Sequence, residues 1–283
     1  MDAKQLKAFI KETASKYKVT TQSLLQQYMT ERFLERISLS SYASCLLMPK
    51  EISLKNALET DLLSTGELRL VFHNCPAGAN ASSDSFSEQD IKRMLEDIVS
   101  IQVEDGVIFS FNSIEIRKEN HDTISYKTVL QAANQYITAL IKLAITVDQA
   151  AFDHRSFSYL LLDDHRKIEL SALPFYMTFS ELLNSVLSKG NYCPRMEDYF
   201  YIYVLLENEI QEIDPEQCAM AFIGSADNLN AYGLLKKHSD ILMSVKSSPD
   251  VLKQWENYCR INHLPNISLF NLCDQLEEII SQF

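Results

Sequence analysis

The sequence predicts an α+β fold, in which a mixed sheet with flanking helices is followed by a helical carboxy-terminal region. Three observations lead to this class: helical spacing of apolar residues near the amino terminus, two-residue alternation through the middle, and helical spacing again towards the end. Strands and helices are therefore segregated along the chain. We predict an α+β domain over residues 1–170, which two helices open, and a helical domain over residues 171–283.

Two helices are predicted before the first strand. The first covers about Lys4–Tyr17. In the second, apolar residues recur at four-residue spacing, namely Leu25, Met29, Phe33 and Ile37. The charged residues Glu31, Arg32, Glu35 and Arg36 fall between them, and we assign them to the solvent-exposed side.

The middle of the chain contains a predicted linker, and after it the spacing of apolar residues changes from helical to every second residue. The segment "CPAGANASSDSFSEQD" is rich in small and polar residues and contains Ser87, which with Asp90 resembles a capping box for a helix over about Glu88–Ser100. Beyond it, Asp105-Gly106 predicts a tight hairpin. The segments "NSIEIRKEN", "TISYKTVLQAA" and "YITALIKLAITV" predict further antiparallel strands.

The last third of the chain predicts helices throughout. In "YMTFSELLNSVLSKG", Thr178 and Glu181 form a capping-box pattern and Gly190 is a natural stop. "RMEDYFYIYVLLENE" predicts a second helix, and three or four more follow from about Pro215.

The composition indicates where the protein is located and which partners it can bind. No apolar run reaches the roughly 18 residues of a membrane span, and the first residues lack a signal-peptide core, so we expect a cytoplasmic protein without membrane contact. The net charge of −12 disfavours general nucleic-acid binding, which needs a positive surface. The six cysteines form no CxxC pair, which predicts free thiols rather than disulfides or a zinc site.

Two predicted strands carry charged residues on one side. In "DLLSTGELRLVFHN", Leu68, Leu70 and Phe72 alternate with positions that include Glu67 and Arg69. In "ALIKLAITVDQ", the more polar side presents Lys142, Ala144, Thr146 and Asp148. Many metal-dependent phosphotransfer folds place two carboxylates one residue apart on such a strand, whereas here a glutamate and an arginine stand there.

Several longer stretches resemble the AbiEii/AbiGii family of nucleotidyltransferase-fold proteins, which includes toxins of bacterial abortive-infection and toxin–antitoxin systems. They occur in the family's order from about Leu24 to Leu206: "LLQQYMTERFLERISLSSY", "DIKRMLEDIVSIQVEDGVIFSFNSIEIR", "DDHRKIELSA", "SELLNSVLSKG" and "RMEDYFYIYVLL". The resemblance implies a nucleotidyltransferase-like sheet and a role in phage defence or a toxin–antitoxin system.

The chain departs from the family at each strand motif. Met48-Pro49-Lys50 stands where the family has a Lys-Gly-Gly turn, and proline removes a backbone donor for phosphate. The family's Asp-x-Asp pair falls on Glu67 and Arg69. Its third strand carboxylate falls on Ala144, and the following Gly-Asp falls on Asp148-Gln149.

The helix motifs are kept in part. Glu181 is retained, whereas the lysine beside it is Leu182. In the last motif Arg195 and Asp198 remain. The basic residue between those two is Glu197 here, and a second aspartate has become Tyr201.

These departures predict a pseudoenzyme. Nucleotidyl transfer of this type holds magnesium through carboxylate oxygens. Glu67 offers one carboxylate, Arg69 repels a cation and Ala144 supplies no oxygen. We therefore expect no catalytic residues, no metal or cofactor, and a role in binding a protein partner. The vestigial pocket would comprise Glu67, Arg69, Ala144, Asp148 and Asp198.

Three alternatives stay open for the pocket. Arg69 could form an ion pair with Glu67 or Asp148. An anion or nucleotide could bind without metal through the candidates Arg69, Lys142, Glu181 and Arg195. An active nucleotidyltransferase would need magnesium, a nucleoside triphosphate and a rearranged ligand set, namely Glu67, Asp148 and Asp198.

Overall fold

A computed structural model describes residues 1–48, 52, 67–73, 87–111, 114–118, 124–148, 154–162, 166–225, 228–262, 264 and 266–283. The chain divides into two compact units, Met1–Leu173 and Pro174–Phe283. All described strands lie in the first unit, and the described regular structure of the second is helical. The predicted architecture, a mixed sheet with flanking helices followed by a helical carboxy-terminal region, is confirmed.

The first unit, which we call the α+β unit, is built on one mixed sheet. Its strands are β1 (Leu46–Met48), β2 (Glu67–His73), β3 (Ile108–Ser110), β4 (Glu115–Lys118), β5 (Ile124–Asn134), β6 (Ile137–Asp148), β7 (Arg155–Leu160) and β8 (Lys167–Ala172). They are ordered β3-β5-β6-β2-β1-β8-β7, and β4 also pairs with β5. The β2–β6 and β1–β8 pairs are parallel and the others are antiparallel.

The described helices of the α+β unit are α1 (Ala3–Tyr17), α2 (Thr21–Leu39) and α3 (Glu88–Ser100). Thr20 caps α2 by accepting a hydrogen bond from the Ser23 amide. The capping box predicted for α3 is confirmed, because Ser87 and Asp90 each accept the other's backbone amide. Hydrogen bonds from Ser87 hold the pKa of the Asp90 carboxyl below its usual value.

The core of the α+β unit lies on one face of the sheet. Alternating residues of β2 and β6 contribute to it together with apolar residues of the helices; the strand residues are Leu68, Leu70, Phe72, Ile141, Leu143 and Ile145. On the opposite face large apolar side chains remain in solvent, with Leu140 60% and Val129 46% exposed. We call this side, which carries Lys127, Val129, Leu140 and Lys142, the open face.

The charged residues of α2 are buried, so their assignment to the solvent-exposed side is wrong. Glu31, Arg32, Glu35 and Arg36 are each at most 2% exposed. Glu31 accepts hydrogen bonds from the Tyr159 hydroxyl (3.0 Å) and the Leu162 amide (2.7 Å). Glu35 pairs with Arg32 at 3.1 Å and with Arg166 at 2.5 Å. These charges can be buried because each one has a partner.

Asp105 and Gly106 form a turn but not the predicted hairpin. The turn connects the segment after α3 to β3, and no strand precedes it within residues 87–107. Arg36 donates to both carboxylate oxygens of Asp105, at 2.7 and 3.1 Å. Gly106 adopts φ +71°, which glycine tolerates without strain. The prediction that β4, β5 and β6 are antiparallel is confirmed.

The second unit, which we call the helical unit, has seven helices and one 3₁₀ turn among its described residues. They are α4 (Phe175–Lys189), α5 (Met196–Glu209), the 3₁₀ turn (Ile210–Glu212), α6 (Pro215–Ser225), α7 (Asn228–Lys236), α8 (His238–Lys246), α9 (Pro249–Ile261) and α10 (Leu269–Ile280). Five of these helices begin at or after Pro215, where three or four were expected. Helix α4 begins at Phe175, so Thr178 is buried within the helix and does not cap it. Gly190 ends α4 with φ +49°, as predicted.

The cysteines depart from expectation at one position. Cys193, Cys218, Cys259 and Cys273 are free thiols. Cys45, in contrast, is disulfide-bonded. Sequence spacing misses such a bond because it joins positions that only the fold brings together. Within the described residues, no helix is long and apolar enough to cross a membrane.

Candidate functional site

The strands β2 and β6 bring together the residues where the resemblance places the strand carboxylates. Their parallel register pairs Glu67 with Lys142 and Arg69 with Ala144. Paired residues point to the same side of a sheet, so these four side chains share one face, which is the open face. The two-residue alternation predicted for both strands is therefore confirmed.

A lysine from the next strand binds the carboxylate of Glu67. The Lys127 ammonium lies 3.3 Å from one Glu67 carboxylate oxygen and 3.4 Å from the other. Both side chains are about three-quarters buried. An ammonium equidistant from two carboxylate oxygens occupies a position in which a metal ion would also meet that carboxylate.

Ala144 makes this contact sterically feasible. Lys127 lies on β5 opposite Ala144, and β6 separates it from β2. Adjacent strands are about 4.8 Å apart, so the roughly 10 Å between β5 and β2 is spanned by the Glu67 side chain from one side of β6 and from the other by the Lys127 side chain. It passes beside a residue whose side chain is only a methyl group and which is 5% exposed. The small side chain of Ala144 thus leaves room for the lysine.

Arg69 and Lys142 differ in their contacts. The Arg69 guanidinium lies 3.4 Å from Glu67, but its side chain is 78% exposed, so this pair is a surface contact of small energy. Lys142 lies directly opposite Glu67 in the register, yet its ammonium makes no hydrogen bond or ion pair with any residue that the structure describes.

A cavity of about 390 Å³ opens on this face. Its charged lining residues are Glu67, Glu115, Lys127 and Lys142, and its neutral lining residues are Ser110, Phe111, Thr128, Val129, Gln131 and Leu140. Of these residues, Glu67 and Lys142 are predicted from the sequence as part of a site, whereas Lys127 is not. The alternation in "TISYKTVLQAA" places Lys127, Val129 and Gln131 on one face, but only the register shows which face.

The other strand candidates are less fully described. Asp148 pairs with His73 at the end of the β2–β6 register, and its side chain lies outside the described atoms. Of the Met48-Pro49-Lys50 turn, only Met48 is described, and it is buried. Among the described residues, no three His, Cys, Asp or Glu side chains are grouped closely enough to hold a metal ion.

The remaining candidates belong to the helical unit. The Asp198 carboxylate is buried, accepts a 2.6 Å hydrogen bond from the Ser185 hydroxyl, and lies 3.8 Å from the Arg195 guanidinium. Arg195 also contacts Glu197 at 3.5 Å. Within this unit, then, Arg195 already contacts two carboxylates, which weakens its attraction for an anion.

Tyr201 and the pair Glu181-Leu182 complete the helix motifs. The Tyr201 hydroxyl donates to Glu197 at 3.2 Å, so the residue at the family's second aspartate is held within its own helix. Glu181 is exposed on α4, whereas Leu182 is fully buried. Leu182 therefore packs in the core, and a lysine at this position would bury an unpaired charge.

Comparisons with known proteins give limited support. No family model matches the chain, and no curated protein matches it. Two solved structures resemble the chain, each with 12% sequence identity and a TM-score of 0.45 over 93% of this chain. One is JHP933 from Helicobacter pylori, of which 91% is covered. The other is a protein from H. pylori described as a suspected nucleotidyltransferase, of which 95% is covered. This degree of likeness assigns neither a family nor an activity.

Proposed function

We propose that the chain is a catalytically inactive nucleotidyltransferase-fold protein of the AbiEii/AbiGii type that acts by binding a protein partner. The setting would be bacterial phage defence or a toxin–antitoxin system, in the cytoplasm. The support comes from the residue resemblance along the chain and from the geometry at β2 and β6.

The contact between Lys127 and Glu67 carries the proposal. Magnesium is held in near-octahedral geometry through one or two carboxylates together with the phosphate oxygens of the substrate. Here the carboxylate of Glu67 is shared by two cations, Lys127 and Arg69. A divalent ion would have to displace the lysine and accept the nearby guanidinium, at a considerable electrostatic cost.

The decisive experiment measures nucleotide transfer. The full chain is incubated with magnesium and each radiolabelled nucleoside triphosphate, with RNA and protein as acceptors. We expect no transfer above that of the matched Glu67→Ala variant. Magnesium-dependent labelling by the unaltered protein that Glu67→Ala abolishes would disprove the proposal and support the active alternative with Glu67, Asp148 and Asp198.

Calorimetry provides a second, independent measurement. Titration with ATP, GTP, CTP and UTP should give the same result with and without magnesium, because no metal bridges the protein to a triphosphate. Tighter binding in the presence of magnesium, lost in Glu67→Ala, would contradict this expectation.

A partner role requires its own test. The product of an adjacent gene, such as an intact nucleotidyltransferase or a helix-turn-helix antitoxin, should co-purify with this chain at a fixed stoichiometry. A chain that binds none of the proteins encoded next to it would count against a toxin–antitoxin setting. This result would not contradict the expectation that the chain transfers no nucleotide.

A further inference from the structure

The open face contains one cation without a partner among the residues that the structure describes. Lys127 is occupied by Glu67, and Arg69 shares the same carboxylate. Lys142 has no hydrogen bond or ion pair within the described residues, although Glu67 lies opposite it in the register. Because Glu67 is turned to Lys127 and Arg69, the ammonium of Lys142 remains available at the wall of the 390 Å³ cavity.

Two apolar residues are neighbours of Lys142 on the sheet. Val129 is the cross-strand partner of Lys142, and Leu140 lies two residues before it on the same face. They are 46% and 60% exposed, so two neighbouring large apolar residues of a sheet stand in solvent together. Phe111 lines the same cavity. Together they form a surface on which the apolar or planar part of a ligand can lie.

Neutral polar groups complete the cavity. Ser110 and Gln131 are cross-strand partners that line it, and they supply one hydroxyl and one amide. Glu115 adds a carboxylate that can accept hydrogen bonds from a ligand's hydroxyl or amino group. The volume lies within the range of about 300–1,000 Å³ that is typical of small-molecule sites.

We propose that this cavity binds a small organic anion, without metal, through an ion pair to Lys142 and apolar contact with Val129 and Leu140. The anionic group is a phosphate or a carboxylate attached to an apolar or planar body. This inference goes beyond the proposed function, because it concerns a ligand that neither nucleotide transfer nor a protein partner requires.

The test is a ligand-detected NMR titration of the full chain in buffer that contains a chelator. Phenyl phosphate and benzoate share a ring and differ in the anion, so they distinguish a phosphate ligand from a carboxylate ligand. Saturable binding of at least one of them, tighter than that of inorganic phosphate or phenol alone, is the expected result.

Three variants locate the binding. Lys142→Gln should weaken the tighter probe about tenfold, as expected when a charge-assisted hydrogen bond is lost. Leu140→Ser should weaken it about fivefold through lost apolar contact. Arg69→Gln is the matched control and should change the affinity less than about twofold, because Arg69 lies on the same face but does not line the cavity.

Two outcomes would overturn the inference. One is the lack of saturable binding for both phenyl phosphate and benzoate. The other is an equal loss of affinity in Lys142→Gln and Arg69→Gln, which would indicate unspecific attraction to positive charge. All three replaced side chains are exposed, so the variants should keep the fold. A magnesium-dependent transfer activity would disprove the proposed function without affecting this result.

Discussion

Single residues decide the chemistry of the open face. The identity of Ala144 matters as much as that of Glu67, because the small side chain leaves the path along which Lys127 reaches the carboxylate. A small side chain at one position can therefore decide which neighbouring side chain reaches a carboxylate.

A double-mutant cycle tests this account of Ala144. The variants Lys127→Met and Glu67→Gln should reveal a coupling free energy of about 0.5–1 kcal/mol, as expected for a partly exposed pair. Repeated in an Ala144→Leu background, the coupling should fall close to zero, because the larger side chain blocks the path. Urea denaturation of each variant provides the free energies, and an unchanged coupling would refute the steric argument.

The buried pair Arg36–Asp105 makes a second prediction at the residue scale. Arg36→Met leaves the Asp105 carboxylate buried without its guanidinium, which should lower the free energy of unfolding by about 3–5 kcal/mol. Urea denaturation measures the loss. Adding Asp105→Asn should recover part of the lost free energy, because it removes the unpaired buried charge. The asparagine side-chain oxygen can still accept the hydrogen bond that the Val107 amide donates to Asp105 at 2.8 Å.

A surface pair is the control for this experiment. Lys92 and Glu96 on α3 lie 3.9 Å apart and are both more than half exposed. Lys92→Met should change the free energy of unfolding by less than about 0.5 kcal/mol. An Arg36→Met variant no less stable than Lys92→Met would show that the buried pair contributes nothing.

At the scale of elements, a buried lysine joins two helices of the helical unit. Lys246 at the end of α8 donates to Asp274 at 2.7 Å and to Glu277 at 3.2 Å, both on α10. The hydrogen bond to Asp274 raises the pKa of Lys246. Hydrogen bonds from the Ser239 hydroxyl and from Lys246 lower the pKa of Glu277.

These two shifts predict the pH dependence of the helical unit. Glu277 has a lower pKa in the folded state, so its contribution is present above its ordinary value of 4.5 and is lost as the pH falls through the lowered pKa. Lys246 has a raised pKa, so its contribution is present below its ordinary value of 10.5 and is lost as the pH rises through the raised pKa.

The variant Lys246→Met should therefore abolish the alkaline loss of stability that Lys246 causes and reduce the acid loss only in part, because the Ser239 hydrogen bond to Glu277 remains. Chemical denaturation followed by circular dichroism across the pH range measures the effect. Lys253→Met, at an exposed position of α9, is the matched control and should keep the dependence of the unaltered protein. The prediction fails if the two variants have the same pH profile.

Secondary-structure elements could be predicted from the sequence far better than contacts between side chains. Strands β2 and β6 were predictable because each buries one side, which imposes a two-residue alternation. The position of Lys127 was not, because its contact joins residues 60 positions apart across an intervening strand. The burial of the charged residues of α2 could not be predicted for the same reason. Their position between apolar residues does not show that Tyr159 and Asp105 are their partners.

At the scale of the whole molecule, the overall charge and the local charge differ. The chain carries a net charge of −12, whereas the open face presents three cations, Lys127, Lys142 and Arg69, beside two carboxylates, Glu67 and Glu115. A surface of this kind repels long polyanions through the field of the whole chain. A small anion is affected less, because it needs only the local field within a Debye length of about 8 Å.

The division of the chain at Leu173/Pro174 predicts that the helical unit folds by itself. It buries its own apolar residues, among them Phe179, Leu183, Tyr199, Ile202, Trp255 and Leu276. A fragment of residues 174–283 should show helical circular dichroism and a cooperative thermal transition. A fragment that begins at residue 184 lacks more than half of α4 and is the control, which should lose that cooperativity. A fragment 174–283 without a transition would disprove independence.

The buried charges of α2 also determine the position of that helix along its own axis. Its apolar residues recur every four positions, so a shift by one turn would place apolar side chains where others had been and would cost little in burial. The charges remove this degeneracy, because a shifted Glu31 would lose Tyr159 and a shifted Arg36 would lose Asp105. The polar contacts thus select one alignment from several that the hydrophobic effect alone would leave nearly equal in energy.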